Sequence, residues 1–142
     1  MPGDPPALDR AMRVLRTYAR IYTSDLETTT AALTAATGAE MGIRFAMPNG
    51  LRLASVGRIL VVAGDDMTLA PYRATQATVI VDDLDQFHTA LVAAGAEIIR
   101  GPQAVPTGRN LTARLTPDVQ IEYVEWNETQ WQRINAAHPS QD

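Results

Sequence analysis

The feature that most constrains this fold is an internal repeat. YARIYTSDLETTTAALTAATGAEM, beginning at Tyr18, can be set beneath QATVIVDDLDQFHTALVAAGAEII, beginning at Gln76. Ala19 then falls on Ala77, Asp25-Leu26 on Asp83-Leu84 and Leu33 on Leu91. After a one-residue slip, Gly38-Ala39-Glu40 falls on Gly95-Ala96-Glu97. Self-similarity of this kind means two copies of one supersecondary unit. A chain of 142 residues holds one sizeable core and is short for two independent ones. Both copies therefore belong to one domain, residues 1–142, with module one at about 17–66 and module two at about 75–127.

Each copy reads as strand, helix and three further strands. In QATVIVDDLD the side chains alternate, so Ala77, Val79 and Val81 share one face while Gln76, Thr78 and Ile80 share the other. A polar pair ends each first strand. Ser24 with Glu27 forms the pattern of a capping box, and Asp82 is placed to cap the second helix. The helices are expected at about 25–36 and 83–94, burying Leu26 and Leu33 in one and Leu84, Phe87 and Leu91 in the other. Gly38 and Gly95 stand where a left-handed C-cap is needed. The first module continues as IRFAM, a turn at Pro48-Asn49-Gly50, LRLASV, a turn near Gly57, and ILVVAG. The second continues as AEIIR, a stiff loop GPQAVPTGRN, LTARLT, a turn at Pro117-Asp118, and VQIEYVEW. A connection spans Leu69 to Arg73, a short helix or arm covers Pro6 to Val14, and a helical tail covers Glu128 to Ala137.

Composition excludes several functions. Sixteen acidic against twelve basic residues give a net charge of −4, opposite in sign to what a phosphate backbone selects, so nucleic acid is not an expected partner. The absence of cysteine removes thiolate nucleophiles, thiolate metal sites and disulfides. MPGDPPALDR lacks the apolar stretch of a signal peptide, and no apolar run reaches the length of a membrane span, which gives the expectation of a cytoplasmic protein without a membrane partner. There is no GxSxG, GxxxxGK[ST] or strand-borne GxGxxG motif.

A duplicated βαβββ unit with SDLE and DDLD junctions, followed by GPQ, GRN and IEYVE, resembles the vicinal oxygen chelate superfamily of glyoxalases, bleomycin-resistance proteins and extradiol dioxygenases. The resemblance covers about 17–127 and implies an α+β fold in which two tandem modules form an open, cup-shaped mixed sheet around a ligand. In the metal enzymes of that superfamily, ligands stand on the first and last strands of each module. Carried over, those positions are Tyr18, an aliphatic residue at or beside Leu60 to Val62, Gln76 and Glu122. Such a set is poor in the histidine nitrogens and carboxylates that a divalent ion wants. The two histidines, His88 and His138, fall in a helix and in the tail. The expectation is no metal, no cofactor and no catalytic residue.

If the superfamily's handedness holds, alternation names a ligand-binding lining of Tyr18, Arg20 and Tyr22, then Gln76 and Thr78, then Glu122, Val124 and Trp126. Phe45 and Leu53 are added from the middle strands, and Arg109 and Asn110 from the GRN segment. Beside this stand blander readings. Tyr22 and Trp126 would serve equally as core or interface aromatics, Glu122 as the ion-pair partner of Arg20, and Arg109 as a water-facing charge. Trp131 is expected to pack the tail helix onto its own body or onto a partner. The resemblance implies a homodimer with sites at the subunit interface, sequestering a hydrophobic aromatic natural product of the bleomycin, mitomycin or enediyne type. The alternative is an enzyme of the same fold, a lyase, isomerase or dioxygenase with a non-standard metal set or none, in which Glu122 is base or sole carboxylate ligand and Tyr18 the acid. A scaffold with a vestigial, blocked cup is the third reading.

Overall fold

The computed structural model describes residues 12–137. Eight strands form one sheet: β1 (Val14–Thr23), β2 (Met41–Ala46), β3 (Arg52–Val56), β4 (Ile59–Ala63), β5 (Thr75–Val81), β6 (Glu97–Val105), β7 (Gly108–Thr116) and β8 (Val119–Trp126). Their order is β2-β3-β4-β1-β5-β8-β7-β6. The two repeats thus lie side by side, joined where β1 runs antiparallel to β5 with Tyr18 opposite Thr78. Within each repeat the first strand pairs in parallel with the last, β1 with β4 and β5 with β8. This is the expected α+β arrangement of two βαβββ units in an open mixed sheet.

Among the described residues four helices accompany the sheet: α1 (Leu26–Thr37), α2 (Asp66–Leu69), α3 (Leu84–Ala93) and α4 (Glu128–Ala137). None among the described residues is long and apolar enough to cross a membrane. α1 and α3 cover one face of the sheet. Leu26 and Leu33 pack on Ile21, Ala54 and Val61, while Leu84, Phe87 and Leu91 pack on Val81, Leu111 and Ala113. Leu26 and Leu84 are almost wholly buried, a burial that contributes about 2 kcal/mol per leucine side chain. The opposite face is left for a site.

Helix starts differ by one residue from the sequence reading. Asp25 caps α1 by accepting from Thr28 N at 3.0 Å, and Asp83 caps α3 by accepting from Gln86 N at 3.2 Å. Ser24 is not the N-cap, and Asp82 is engaged by Arg13, whose backbone N–H donates to it at 2.9 Å. A carboxylate reaches the free N–H groups of a first turn as well as a hydroxyl does, so adjacent polar residues compete for this role. Gly38, with φ of 73°, ends α1 in the left-handed region as expected.

The largest departure is the GPQAVPTGRN segment, which is a hairpin rather than a loop. β6 extends to Val105 and β7 starts at Gly108, so Gln103 pairs with Asn110 and Ala104 with Arg109. Prolines survive here because β6 is an edge strand with a register shift between Arg100 and Gln103. Gly101, with φ of 80°, is needed at that shift, since a Cβ there would lie 2.5 Å from the Asn110 carbonyl oxygen. The expected arm over Pro6 to Val14 and residue His138 fall outside the described residues, apart from the last residues of that arm, which run into β1.

Candidate functional site

Alternation along the strands delivers one set of side chains to the face away from α1 and α3. Residues from β2 and from the β6–β7 hairpin, at opposite ends of the strand order, line the same cavity, so the sheet curls into a cup. The cup has two lobes. One, of about 100 Å³, is apolar and walled by Tyr18, Phe45, Leu60, Ile80, Val124 and Trp126. The other, of about 140 Å³, is polar and takes Arg20, Asn49, Tyr72, Arg100, Gln103 and Thr112. Met47, Leu53, Val105, Asn110 and Glu122 belong to both and mark the junction.

Glu122 is the centre of that junction. Its Oε1 accepts from Arg20 Nη1 at 2.8 Å and from Thr78 Oγ1 at 2.9 Å, and its Oε2 accepts from Asn110 Nδ2 at 2.9 Å. Asn110 is oriented in turn by Gln103, whose Nε2 donates to Asn110 Oδ1 at 3.1 Å. The five strands involved, β1, β5, β8, β7 and β6, are successive neighbours in the sheet, so hydrogen-bonded backbone fixes the spacing of these side chains. Arg20 is nearly buried, with 6% of its side chain exposed, and a buried guanidinium requires this kind of paired and hydrogen-bonded setting. Its Nε donates to Tyr22 Oη at 2.9 Å and its guanidinium also lies 5.5 Å from the Tyr22 ring centre. Tyr22 Oη reaches the Tyr72 carbonyl at 2.6 Å and the carbonyl of Thr75. Burial pushes the Tyr22 hydroxyl pKa above its ordinary value, with Arg20 opposing the shift.

The apolar lobe is organised by aromatic stacking. Trp126 meets Tyr18 with ring centres 6.2 Å apart and Trp131 edge-on at 4.8 Å. Trp131 packs α4 onto its own body, and Gln130 and Ile134 on the same helix close over the lobe.

Nine of the twelve expected lining residues lie around the cup: Tyr18, Arg20, Phe45, Leu53, Thr78, Asn110, Glu122, Val124 and Trp126. Three do not. Tyr22 stands behind Arg20 and holds it. Gln76 is exposed at the strand end and accepts from Gln120 N at 3.1 Å, because the register of β5 on β8 shifts between Thr75 and Ala77. That shift reverses the alternation, so Thr75 faces the polar lobe in place of Gln76. Arg109 lies outside the cup, paired with Asp85 at 3.0 Å, and this hydrogen bond lowers the Asp85 pKa. Sequence reasoning missed Arg100, Tyr72, Gln103, Gln130 and Ile134. The last two are an i, i+4 pair, both 3% exposed, and that spacing was a readable signal of a buried helix stripe.

The donor set does not fit a divalent ion. Among the described residues no three His, Cys, Asp or Glu side chains gather at one point. Glu122 is instead engaged by a guanidinium, a hydroxyl and an amide.

No protein-family model matches the sequence, and no curated protein matches it. Among solved structures, an uncharacterised protein from Methanosarcina mazei is 43% identical, with a TM-score of 0.76 over 82% of this chain and 96% of that one. Methylmalonyl-CoA epimerase from Mycobacterium tuberculosis has a TM-score of 0.67 at 18% identity, over 84% and 93% of the two chains. A Streptomyces coelicolor methylmalonyl-CoA epimerase variant in complex with 2-nitronate-propionyl-CoA has a TM-score of 0.63 at 17% identity, over 82% and 97%. At the latter identities the likeness is one of fold.

Proposed function

We propose, for a chain that belongs to one family with the Methanosarcina mazei protein and has the vicinal oxygen chelate fold, that the cup is an active site in which Glu122 moves a proton on a small, mostly apolar substrate. The observation that carries this reading is the placement of Glu122. Among the described residues it is the one carboxylate on the lining of either lobe, and its Oε2 has one hydrogen bond where a carboxylate oxygen can take two. A C–H bond beside a carbonyl is the chemistry such a base serves. Oε2 takes the proton, the electron pair moves onto the carbonyl oxygen, and N–H groups of Arg20 or Asn110 stabilise that oxyanion until the proton returns. The epimerases that share the fold are named for a reaction of this class, which supports the reading.

Size also favours a compact substrate. Lobes of about 100 and 140 Å³ fall below the ~300 Å³ at which pockets begin to enclose drug-sized molecules. Bleomycin-like natural products are larger than that.

Sequestration of a small aromatic compound is the second reading, favoured by the stacked Tyr18, Trp126 and Trp131. Proton exchange separates the two. Incubating the protein in D2O with a panel of 2-substituted carbonyl compounds and following the 2-H signal by NMR should reveal exchange, slowed roughly 100-fold or more in Glu122→Gln. Exchange equal in the variant rejects Glu122 as the base. Tight aromatic binding with no exchange in any compound favours sequestration. The homodimer stands as a further proposal, to be read by light scattering as twice the 15.4 kDa chain mass.

A further inference from the structure

We infer that the polar lobe is a carboxylate-binding subsite, with Arg100 as its specificity residue, and that the ligand is a small organic acid whose apolar body occupies the other lobe. The inference rests on the reading that the cup binds a small ligand, and adds to it the ligand's charge and orientation.

The charge count is the first argument. Two guanidiniums, Arg20 and Arg100, face the polar lobe against the single carboxylate of Glu122. Arg20 spends Nη1 on Glu122 and Thr78 and Nε on Tyr22, leaving Nη2 without a hydrogen bond among the described residues. Arg100 has no carboxylate partner among the described residues. It is half-buried, lies 5.0 Å over the Tyr72 ring and donates once, from Nη2 to the Pro71 carbonyl at 3.2 Å. A cation stacked on an aromatic face and tied at one corner is held in a fixed plane with N–H groups to spare, the condition for two-pronged recognition of a carboxylate. Its neighbours along the lobe, Asn49, Gln103 and Thr112, add neutral donors and no competing anion.

The second argument is layout. Glu122 stands between the lobes, so an acid held by Arg100 with its body against Trp126 passes its central carbons across Glu122. The net positive lobe also opposes repulsion between that acid and Glu122.

Phenylacetate and its neutral counterpart phenylacetamide test this directly, by titration of tryptophan fluorescence from Trp126 and Trp131. Wild type is expected to bind the acid about tenfold or more tightly than the amide, a preference that falls as salt is raised. Arg100→Gln should remove the preference by weakening the acid about tenfold more than the amide, and Arg100→Lys should restore part of it. Thermal unfolding of each variant establishes that it folds. Equal affinity of wild type for acid and amide, no binding of either, or equal weakening of both in Arg100→Gln overturns the inference. Arg100-dependent acid binding without 2-H exchange leaves the inference standing and removes the proton-transfer reading. Exchange on neutral carbonyl compounds with no preference for acids does the reverse.

Discussion

Arg20 and Glu122 make the ion pair that the sequence reading weighed as an alternative to ligand contact, and the geometry lets both roles coexist. The pair alone would be poor value in a cavity, since desolvating two charges can outweigh their attraction. Thr78, Asn110 and Tyr22 change that balance by adding hydrogen bonds to Arg20 Nε and to both oxygens of Glu122. Tyr22 is the piece most open to test. Tyr22→Phe removes the acceptor for Arg20 Nε and should lower stability by about 1–3 kcal/mol in urea unfolding. The hydroxyl's pKa lies above its ordinary value of 10.0, so the neutral form is favoured in the folded state. Its stabilising share is complete below pH 10.0 and is lost as pH rises through the higher folded value. Ultraviolet titration should show two tyrosines ionising late, Tyr22 and the half-buried Tyr123, and one of those two components should vanish in Tyr22→Phe. Little of this was legible from residue identity alone. Parity placed Tyr22 on the cup face correctly, but only the packing of Arg20 in front of it shows that it supports the site from behind.

At the level of elements, the first turn of α1 is tied to the edge of the sheet through one carboxylate. Glu27 accepts from Arg52 on β3 at 2.6 Å and from Arg44 on β2, two strands that pair with each other. These hydrogen bonds hold its carboxyl down at about 2, from an ordinary 4.5. The sign follows from the depression: the contribution is full above pH 4.5 and is lost as pH falls through about 2. Wild type should therefore lose Tm faster than Glu27→Gln as melts are taken from pH 5 toward pH 2, and parallel curves would dismiss the tie. Glu27 is exposed, so the gap between the curves should shrink in high salt. Elements were the most readable scale of this chain. The repeat gave both long helices and the succession of strands along the chain because their signals are local: apolar stripes, carboxylates before a first turn, glycines after a last one. What escaped was non-local. Gln76 left the cup through a register shift that depends on how β5 meets β8, and GPQAVPTGRN became two strands because an edge position tolerates its prolines. No property of ten residues in isolation distinguishes such a hairpin from a loop.

For the molecule as a whole, the chain's own tail helix closes over part of the apolar lobe. α4 leaves the end of β8, crosses the open side and packs against β2 at the far edge of the sheet, carrying Gln130 and Ile134 over the lobe. Its hold depends on Trp131, wedged edge-on against Trp126, with the Arg16 guanidinium 5.7 Å from its ring centre. A helix of 10 residues is too short to be stable by propensity alone, so packing contacts, this one among them, hold the cover in place. Trp131→Ala should cost about 3 kcal/mol or more if α4 stays folded and leaves a void, and less if the helix simply detaches. The two outcomes are separable. Detachment predicts fast amide exchange confined to 128–137, an unshifted main unfolding transition, and weakened binding of phenylacetate and phenylacetamide alike, since the shared apolar wall is what has opened. A closed cover with a void predicts a lower Tm for the whole protein and little change in exchange along α4. Either result places the energetic weight of the cover, and slow, unchanged exchange together with an unchanged Tm would show that Trp131 carries none of it.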